Sequence, residues 1–248
     1  MEPHIAALGF LAAVFGTGGL IVLCGLGVVL QKPLLAKFAG AVACLVVIAY
    51  GALLVAFSAA SQERTLALGS EKYFCDLDCH LAYSVQSVEH PQVVGSPPDA
   101  VTARGRFSVV MLRVRFDETT ISPHRGDSPL YPENVHLAVV DVGGRRYEPR
   151  SDAQRALERA QGSTVSFTQP LRPGESFTKA FVFDLPADVR RPRLLLTDPI
   201  VVTPFLIDHE NSFFHKKTYL RLADGLEGKS ASRATLTSGC PCGRHGRT

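Results

Sequence analysis

Two long stretches of apolar residues occupy the start of the chain. No charged residue occurs from Ile5 to Leu30 or from Phe38 to Ala60. Each stretch exceeds the roughly 20 residues that an α-helix needs to cross the hydrocarbon core of a bilayer. The pattern therefore predicts a hairpin of two transmembrane helices, at residues 5–30 and 38–60.

The loop between the predicted helices carries Lys32 and Lys37. Lysines next to transmembrane helices favour the cytoplasmic side, so both termini are expected to face outward. Glu2 and His4 are the only polar residues before the first stretch, and no lysine or arginine precedes it. A cleaved signal peptide normally begins with a basic segment, so cleavage is not expected. We expect a protein of the cytoplasmic membrane, in contact with lipid, whose soluble domain lies on the exoplasmic or periplasmic side.

The pattern changes to alternating apolar and polar positions after a polar tether at residues 61–70. In the clearest stretch, Val110, Leu112 and Val114 share one face, which is the period of a half-buried strand. Further strands are predicted at 135–139, 145–147, 177–183, 193–196 and 201–207, with a last edge strand at 218–222. This spacing predicts a β domain at residues 71–222, followed by a disordered tail at 223–248.

Turn and helix signals separate these strands. Gly143 and Gly144 can supply the backbone of a tight hairpin turn. Ser151 can cap a short amphipathic helix, and Gln154, three residues later, completes a capping box. The predicted fold class is therefore membrane-anchored all-β: two transmembrane helices followed by an antiparallel β-sandwich with one short helix.

Three segments carry a resemblance to bacterial exported domains described as telokin-like or immunoglobulin-like. The stretch from Leu171 to Pro186 resembles a recurring hairpin of these domains, and Val114-Arg115-Phe116-Asp117 and Gly143-Gly144-Arg145-Arg146-Tyr147 are similar to two other parts of them. The resemblance covers about residues 81–205. It implies an immunoglobulin-like sandwich of unknown function and no catalytic residues.

Charge and motifs restrict the functional classes. Basic and acidic residues nearly balance beyond the helices and are interleaved, as at residues 155–159, so we expect no nucleic-acid partner. The sequence lacks a Gly-x-Ser-x-Gly elbow, a phosphate-binding loop, a His-Glu-x-x-His pair and a dinucleotide fingerprint. We therefore expect no catalytic activity, and no small-molecule ligand is indicated.

Cys75, Cys79 and His80 form the most unusual local pattern. On the exoplasmic side, Cys75 and Cys79 can form a short-range disulfide. Alternatively, two thiolates and an imidazole suit copper or zinc, with His209 or His215 as a fourth ligand. The spacing Cys-x-x-x-Cys-His has one residue more than the usual haem attachment motif. The disulfide and the metal site both remain open.

The arrangement of two helices, a β domain and two cysteines four apart also looks like subunit II of haem-copper oxidases. That family has a histidine and a methionine where this chain has Tyr83 and Gln86, so the resemblance fails at the ligands. The remaining cysteines suggest no site. Cys240 and Cys242 lie in the predicted tail, and Cys24 and Cys44 lie in the apolar helices.

A polar segment near the end of the β domain contains His209, Glu210, Asn211 and His215 between apolar stretches. We interpret it as a binding loop on the rim of the sandwich. The sequence therefore predicts a membrane-anchored interaction or assembly module without catalytic activity, whose partner is another envelope or membrane protein. The alternative is a membrane-anchored metal-binding or electron-transfer protein that uses Cys75, Cys79 and His80.

Overall fold

A pair of long helices is followed by a β domain in the computed structural model, which describes residues 3–74, 80–121, 124–132, 135–162, 165–197 and 202–222. Helix α1 is Pro3–Val29 and helix α2 is Pro33–Ala60. The two helices pack along each other, and by length and composition both are able to cross a membrane. The predicted order of two long apolar helices followed by an antiparallel-rich β domain with one short helix is therefore confirmed.

The connection between α1 and α2 is much tighter than the predicted loop at residues 31–37. The amide of Lys32 donates to the carbonyl of Gly27 at 2.8 Å, and Pro33 already stands in the first turn of α2. Proline is well tolerated there because its missing N–H would have no helical partner. A Cβ at Gly27 would lie 2.8 Å from the nitrogen of Ala36, so glycine permits this close approach.

Eleven strands build the described part of the β domain. They are β1 Arg64–Leu66, β2 Lys72–Tyr73, β3 Leu81–Glu89, β4 Val93–Val94, β5 Val101–Thr102, β6 Arg106–Phe116, β7 His136–Val140, β8 Arg146–Tyr147, β9 Ser176–Leu185, β10 Arg193–Thr197 and β11 Thr218–Arg221. One sheet has the order β1-β11-β10-β7-β8, a second has β2-β3-β6-β9, and β4 pairs with β5. Every pairing is antiparallel except that of β1 with β11.

Strand β6 is buried on both of its faces. Its alternate residues Val110, Leu112, Val114 and Phe116 lie in a core shared by the five-stranded and four-stranded sheets, as the alternation predicts. The intervening residues near its start, such as Phe107, belong to a second core on the outer side of the four-stranded sheet. The two sheets therefore face each other as layers, and a third layer covers β6 from outside.

The third layer is helix α3, Ser151–Gln161. Its alanines Ala153 and Ala156 are fully buried, and Ala153 packs with Phe107 and Val182 of the sheet. The helix approaches the chain after β4 so closely that a Cβ at Gly95 would lie 2.9 Å from the Cβ of Ala156. Small residues on both sides let the helix pack flat on the sheet.

The capping of α3 differs from the sequence prediction. Arg150 occupies the N-cap position without a side-chain cap, and Ser151 is the first helical residue. The Gln154 side chain donates to the carbonyl of Ala180 at 2.8 Å and accepts from the amide of Val182 at 3.0 Å. Gln154 thus binds the outer edge of β9 and satisfies backbone groups that an edge strand leaves unpaired.

Two sequence predictions about strands differ from the structure near the end of the domain. Within residues 202–207, Thr203–Phe205 forms a 3-10 turn and no strand, since Pro204 cannot donate a backbone hydrogen bond. Strand β11 exists as predicted but is not an edge, because β1 pairs with its other side. Strand β1 lies within residues 61–70, where the sequence predicts a tether. The predicted tail at 223–248 lies outside the described residues.

Replacing Gln154 with alanine tests the contact between α3 and β9. The change removes the partners of two backbone groups, so we expect the free energy of unfolding to fall by about 1–3 kcal/mol. Thermal unfolding of the full-length protein in mild detergent, followed by circular dichroism, measures the loss. Gln161→Ala at the exposed end of the same helix is the matched control. Equal melting temperatures for the two variants would contradict the capping role.

Candidate functional site

Of Cys75, Cys79 and His80, the structure describes His80, because the two cysteines lie outside the described residues. The His80 side chain is buried. Its Nδ1 lies 2.8 Å from Oγ1 of Thr120, and its ring stacks on Phe116 with 5.6 Å between centroids. Among the described residues, no three His, Cys, Asp or Glu side chains come together in a group that could hold a metal.

A cluster of polar and charged side chains lies close to His80, at the start of β2 and the end of β6. Arg115 donates from Nε to Oε1 of Glu71 at 2.8 Å, and from Nη2 to the second Glu71 oxygen at 2.7 Å. The same Nη2 lies 3.1 Å from Oδ2 of Asp117. The hydroxyl of Tyr73 is 2.7 Å from that Asp117 oxygen. We call Glu71, Tyr73, Arg115 and Asp117 the carboxylate cluster.

The backbone joins the carboxylate cluster to His80. The amide of Asp117 donates to the carbonyl of His80 at 2.8 Å, and Thr120 Oγ1 donates to the carbonyl of Asp117 at 2.8 Å. Oδ1 of Asp117 also accepts from the amide of Thr119. The cluster therefore fixes the point at which the chain leaves residues 75–79 and enters β3.

The electrostatics of the carboxylate cluster favour fixed charges over proton exchange. Hydrogen bonds from Arg115 hold the pKa of Asp117 far below its usual range and also lower the pKa of Glu71. Burial, with hydrogen bonds to Asp117 and Glu71, raises the pKa of Tyr73. Each shift moves the pKa of its group further from pH 7. The cluster is accordingly suited to holding structure and not to general acid or base catalysis.

Glu210, part of the predicted binding loop, forms an ion pair with a buried lysine. Nζ of Lys72, which is 3 % exposed, donates to Glu210 Oε1 at 2.6 Å and to the carbonyls of Leu196 and Thr218 at 3.0 and 2.8 Å. Burial lowers the pKa of Lys72 in spite of the opposing charge of Glu210. All three ammonium donors of Lys72 have acceptors. Because Lys72 belongs to the four-stranded sheet and Leu196 and Thr218 belong to the five-stranded sheet, these bonds join the two sheets.

Hydrogen bonds within the segment hold the other predicted loop residues. His209 Nδ1 accepts from the amide of Asn211 at 3.0 Å, and Lys217 Nζ donates to the carbonyl of Glu210 at 2.5 Å. His215 Nδ1 lies 2.7 Å from the carbonyl of Lys216. These short-range bonds give the segment a defined shape.

The same segment also closes onto the helix pair. The hydroxyl of Tyr50 in α2 donates to the carbonyl of Phe205 at 2.7 Å, and the Phe205 ring stacks on Phe10 of α1 with 6.5 Å between centroids. The amide of Lys216 donates to Oγ of Ser61 at 2.9 Å. An open cleft of about 610 Å³ at this junction is lined by Phe57, Ala60, Ser61, Gln62, Arg64, Asp208, His215 and Thr218.

Strand register places three arginines in one row on the outer face of the five-stranded sheet. Arg221 pairs with Arg193, Arg193 pairs with Val140, and Val140 pairs with Arg146. Neighbours such as Leu194 point into the core, so this row faces outward. We call Arg146, Arg193 and Arg221 the arginine row.

Among the described residues, Arg193 is the member of the arginine row that forms an ion pair, and its partner is Glu63. The guanidinium of Arg193 also stacks over the ring of Tyr219, 4.0 Å from its centroid. A cleft of about 630 Å³ beside the row is lined by Glu63, Thr65, Val142, Arg191, Pro192, Arg193, Arg221 and Leu222. Three of these eight residues are arginines and one is a glutamate, so the cleft favours an anionic group.

Comparison with solved structures gives three similar chains. A conserved hypothetical protein from Bacillus anthracis is 18 % identical, with a TM-score of 0.38, over 51 % of this chain and 90 % of the other. The secreted protein MPT63 from Mycobacterium tuberculosis is 15 % identical, with a TM-score of 0.40, over 64 % and 98 %. The yjhA protein from Bacillus subtilis is 12 % identical, with a TM-score of 0.37, over 63 % and 98 %. No family model and no curated protein matches the chain.

Arg115→Met tests the carboxylate cluster. The change leaves Asp117, whose side chain is 8 % exposed, without its cation, so we expect the free energy of unfolding to fall by about 2–3 kcal/mol at neutral pH. Arg113→Met is the control on the same strand, because Arg113 bonds only to Ser176 Oγ among the contacts described. Thermal unfolding that is the same for both variants would show that the cluster contributes nothing.

The same pair of variants predicts a pH dependence. The pKa values of Asp117 and Glu71 are lowered from 3.8 and 4.5, so the folded state binds fewer protons than the unfolded state. The stabilisation is complete above about pH 5 and is lost as the pH falls through the folded-state values. The acid limb of melting temperature against pH should therefore be shallower in Arg115→Met than in Arg113→Met.

Lys72→Met tests whether Glu210 has a structural role. Glu210 would lose its cation and the carbonyls of Leu196 and Thr218 would lose their donor, so we expect a loss of about 2–3 kcal/mol in the free energy of unfolding. Adding Glu210→Gln to Lys72→Met should recover part of the loss, because the uncompensated charge is then removed. Lys216→Met, at an exposed lysine of the same segment, is the control. A Lys72→Met protein as stable as this control would favour the binding-loop prediction for Glu210.

Proposed function

We propose that this protein is a membrane-anchored interaction module without catalytic activity, and that its immunoglobulin-like domain binds another envelope protein. Helices α1 and α2 span the cytoplasmic membrane, and the β domain lies on its exoplasmic side. Two apolar helices of sufficient length and the lysines in their short connection support this arrangement. The arginine row is the observation that supports the function.

The arginine row is unfavourable for the isolated domain. Like charges that lie directly opposite each other on neighbouring strands repel, and Arg193 and Arg221 form such a pair. The carboxylate of Glu63 neutralises Arg193, while Arg221 and Arg146 are exposed. An acidic segment of a partner would relieve this repulsion. Charge complementarity therefore selects an acidic protein segment as the ligand of this face.

The position of the arginine row suits recognition away from the membrane surface. Arg64 and Thr218 pair at the start of β1 and β11, next to the end of α2. Arg221 lies three residues further along β11, about 10 Å beyond that level. Arginine and tyrosine are also the residues that interface centres favour, and Tyr219 packs against Arg193 in the same face.

The alternative function, a copper or zinc site or electron-transfer centre at Cys75, Cys79 and His80, is a prediction about a segment that lies mainly outside the described residues. Among the described residues, His80 contacts Thr120 and Phe116. We place the interaction module first because the arginine row, which supports it, lies among the described residues.

Photo-crosslinking in intact cells tests the proposed function. The crosslinker p-benzoylphenylalanine is introduced in place of Val142, which is 64 % exposed beside the arginine row. We expect one discrete adduct whose crosslinked peptide, identified by mass spectrometry, is acidic. The double variant Arg146→Glu, Arg221→Glu should abolish this adduct, because it reverses the two exposed charges of the row.

The control places the same crosslinker at Gln161, an exposed position on α3 on the opposite side of the domain. That position should not give the same adduct. An adduct at position 142 that survives the charge reversal, or the same adduct from both positions, would refute the arginine row as the binding face.

A further inference from the structure

An exposed aromatic surface lies on the segment between β10 and β11. Phe213 and Phe214 are 49 % and 79 % exposed, and Phe205 and Val202 are each 46 % exposed. Phe214 also has a φ of 65°, which is rare for a bulky residue. We call residues 202–214 the aromatic loop. Large apolar side chains clustered in this way mark a surface that contacts something other than water.

The contacts of the aromatic loop with α1 and α2 indicate where the loop lies relative to the boundary of the hydrocarbon core. Phe205 touches Phe10 of α1 and Tyr50 of α2. Phe10 stands about 28 Å from the Val29 end of α1, and Tyr50 about 26 Å from the Pro33 end of α2, at 1.5 Å per residue. The hydrocarbon core of a bilayer is about 30 Å thick. If the core begins at these helix ends, its far boundary lies at the level of Phe205.

The backbone of the aromatic loop selects this placement. Irregular backbone that faces lipid is excluded from the hydrocarbon core, because its N–H and C=O groups would lose their partners. A membrane placed further towards the domain would bury the loop, so we infer a boundary near Phe10 and Tyr50. The apolar residues 51–60 of α2, which the sequence assigns to the span, then lie on the domain side of this boundary. Lys37 then enters the inner leaflet by about one turn, and its long side chain can reach back to the inner surface.

The aromatic loop is held in shape before any lipid is present. The Phe213 ring packs edge-on against Phe205 with 5.4 Å between centroids. The amide of Phe213 donates to the carbonyl of Pro204 at 3.3 Å, and Ser212 Oγ donates to the carbonyl of Leu206. Phe213 is thereby fixed at the height of Phe205.

We propose that the aromatic loop inserts into the interfacial region of the domain-side leaflet and that the lipid bilayer is its binding partner. Phe10, Tyr50 and Phe205 form the aromatic belt at this boundary, and Phe213 and Phe214 enter the leaflet beside it. The β domain thus has a second membrane contact besides its covalent anchor. The inference rests on the proposed membrane anchorage by α1 and α2.

Tryptophan fluorescence tests this insertion, because the chain contains no tryptophan. Phe214→Trp, Phe213→Trp, Leu45→Trp and Val142→Trp are each introduced into the full-length protein. Leu45 is 65 % exposed on α2, about 18 Å from the Pro33 end and about 7 Å from the level of Tyr50 at 1.5 Å per residue, and Val142 is exposed at the far end of the domain. Each variant is reconstituted into phosphatidylcholine and phosphatidylglycerol vesicles with lipids spin-labelled near the headgroup or near the chain end.

We expect Trp emission in Phe214→Trp and Phe213→Trp to be quenched most by the headgroup-proximal label, and Leu45→Trp to be quenched by the chain-end label more than either loop variant is. Val142→Trp should be quenched by aqueous acrylamide and by neither lipid. If Leu45→Trp is quenched by lipid while both loop variants behave like Val142→Trp, the loop inference is wrong and the anchorage stands. If Leu45→Trp is not quenched by lipid, both are wrong.

Discussion

The parallel pairing of β1 with β11 determines how the helix pair and the β domain are placed. Residues 61–63 alone separate α2 from β1, so the strand must start within about 14 Å of Ala60. Because β1 and β11 run in the same direction, the start of β11 and the segment before it lie at that level too. This is why the loop that carries Phe205 meets α1 and α2. The remaining strands of the sheet then extend away from the helices.

How far the sequence predicts a strand depends on its length and on what its two faces contact. Strand β9 was predictable because Phe177, Phe181 and Phe183 lie at odd positions and therefore share one face of an extended chain. Strand β1 has three residues, of which two are exposed, so it shows no period. The sequence predicts a strand at 201–207 because the segment is rich in apolar residues. In the structure Leu206 and Ile207 are buried at consecutive positions, which is not the period of a half-buried strand.

The candidate sites depend on register, which periodicity does not contain. The sequence places Arg193 and Arg221 in separate segments with acids nearby, and it gives no sign that β10 and β11 bring them opposite each other. Glu71 and Arg115 likewise meet because β2 and β6 flank β3 in one sheet. Sequence reasoning found His80 and Glu210 through their residue types. It could not show that a threonine and a buried lysine already bind them.

Strand β9 lies at the edge of the four-stranded sheet, where the amide of Arg150 and the side chain of Gln154 occupy the backbone groups of Ala180 and Val182. Anchored copies of a protein share a two-dimensional surface, which raises their effective concentration for one another. A bare ten-residue edge at that concentration would be a template for pairing with the same edge of a neighbouring copy. The contacts of Arg150 and Gln154 thus cover the middle of this edge and, under the proposed anchorage, disfavour such pairing between copies.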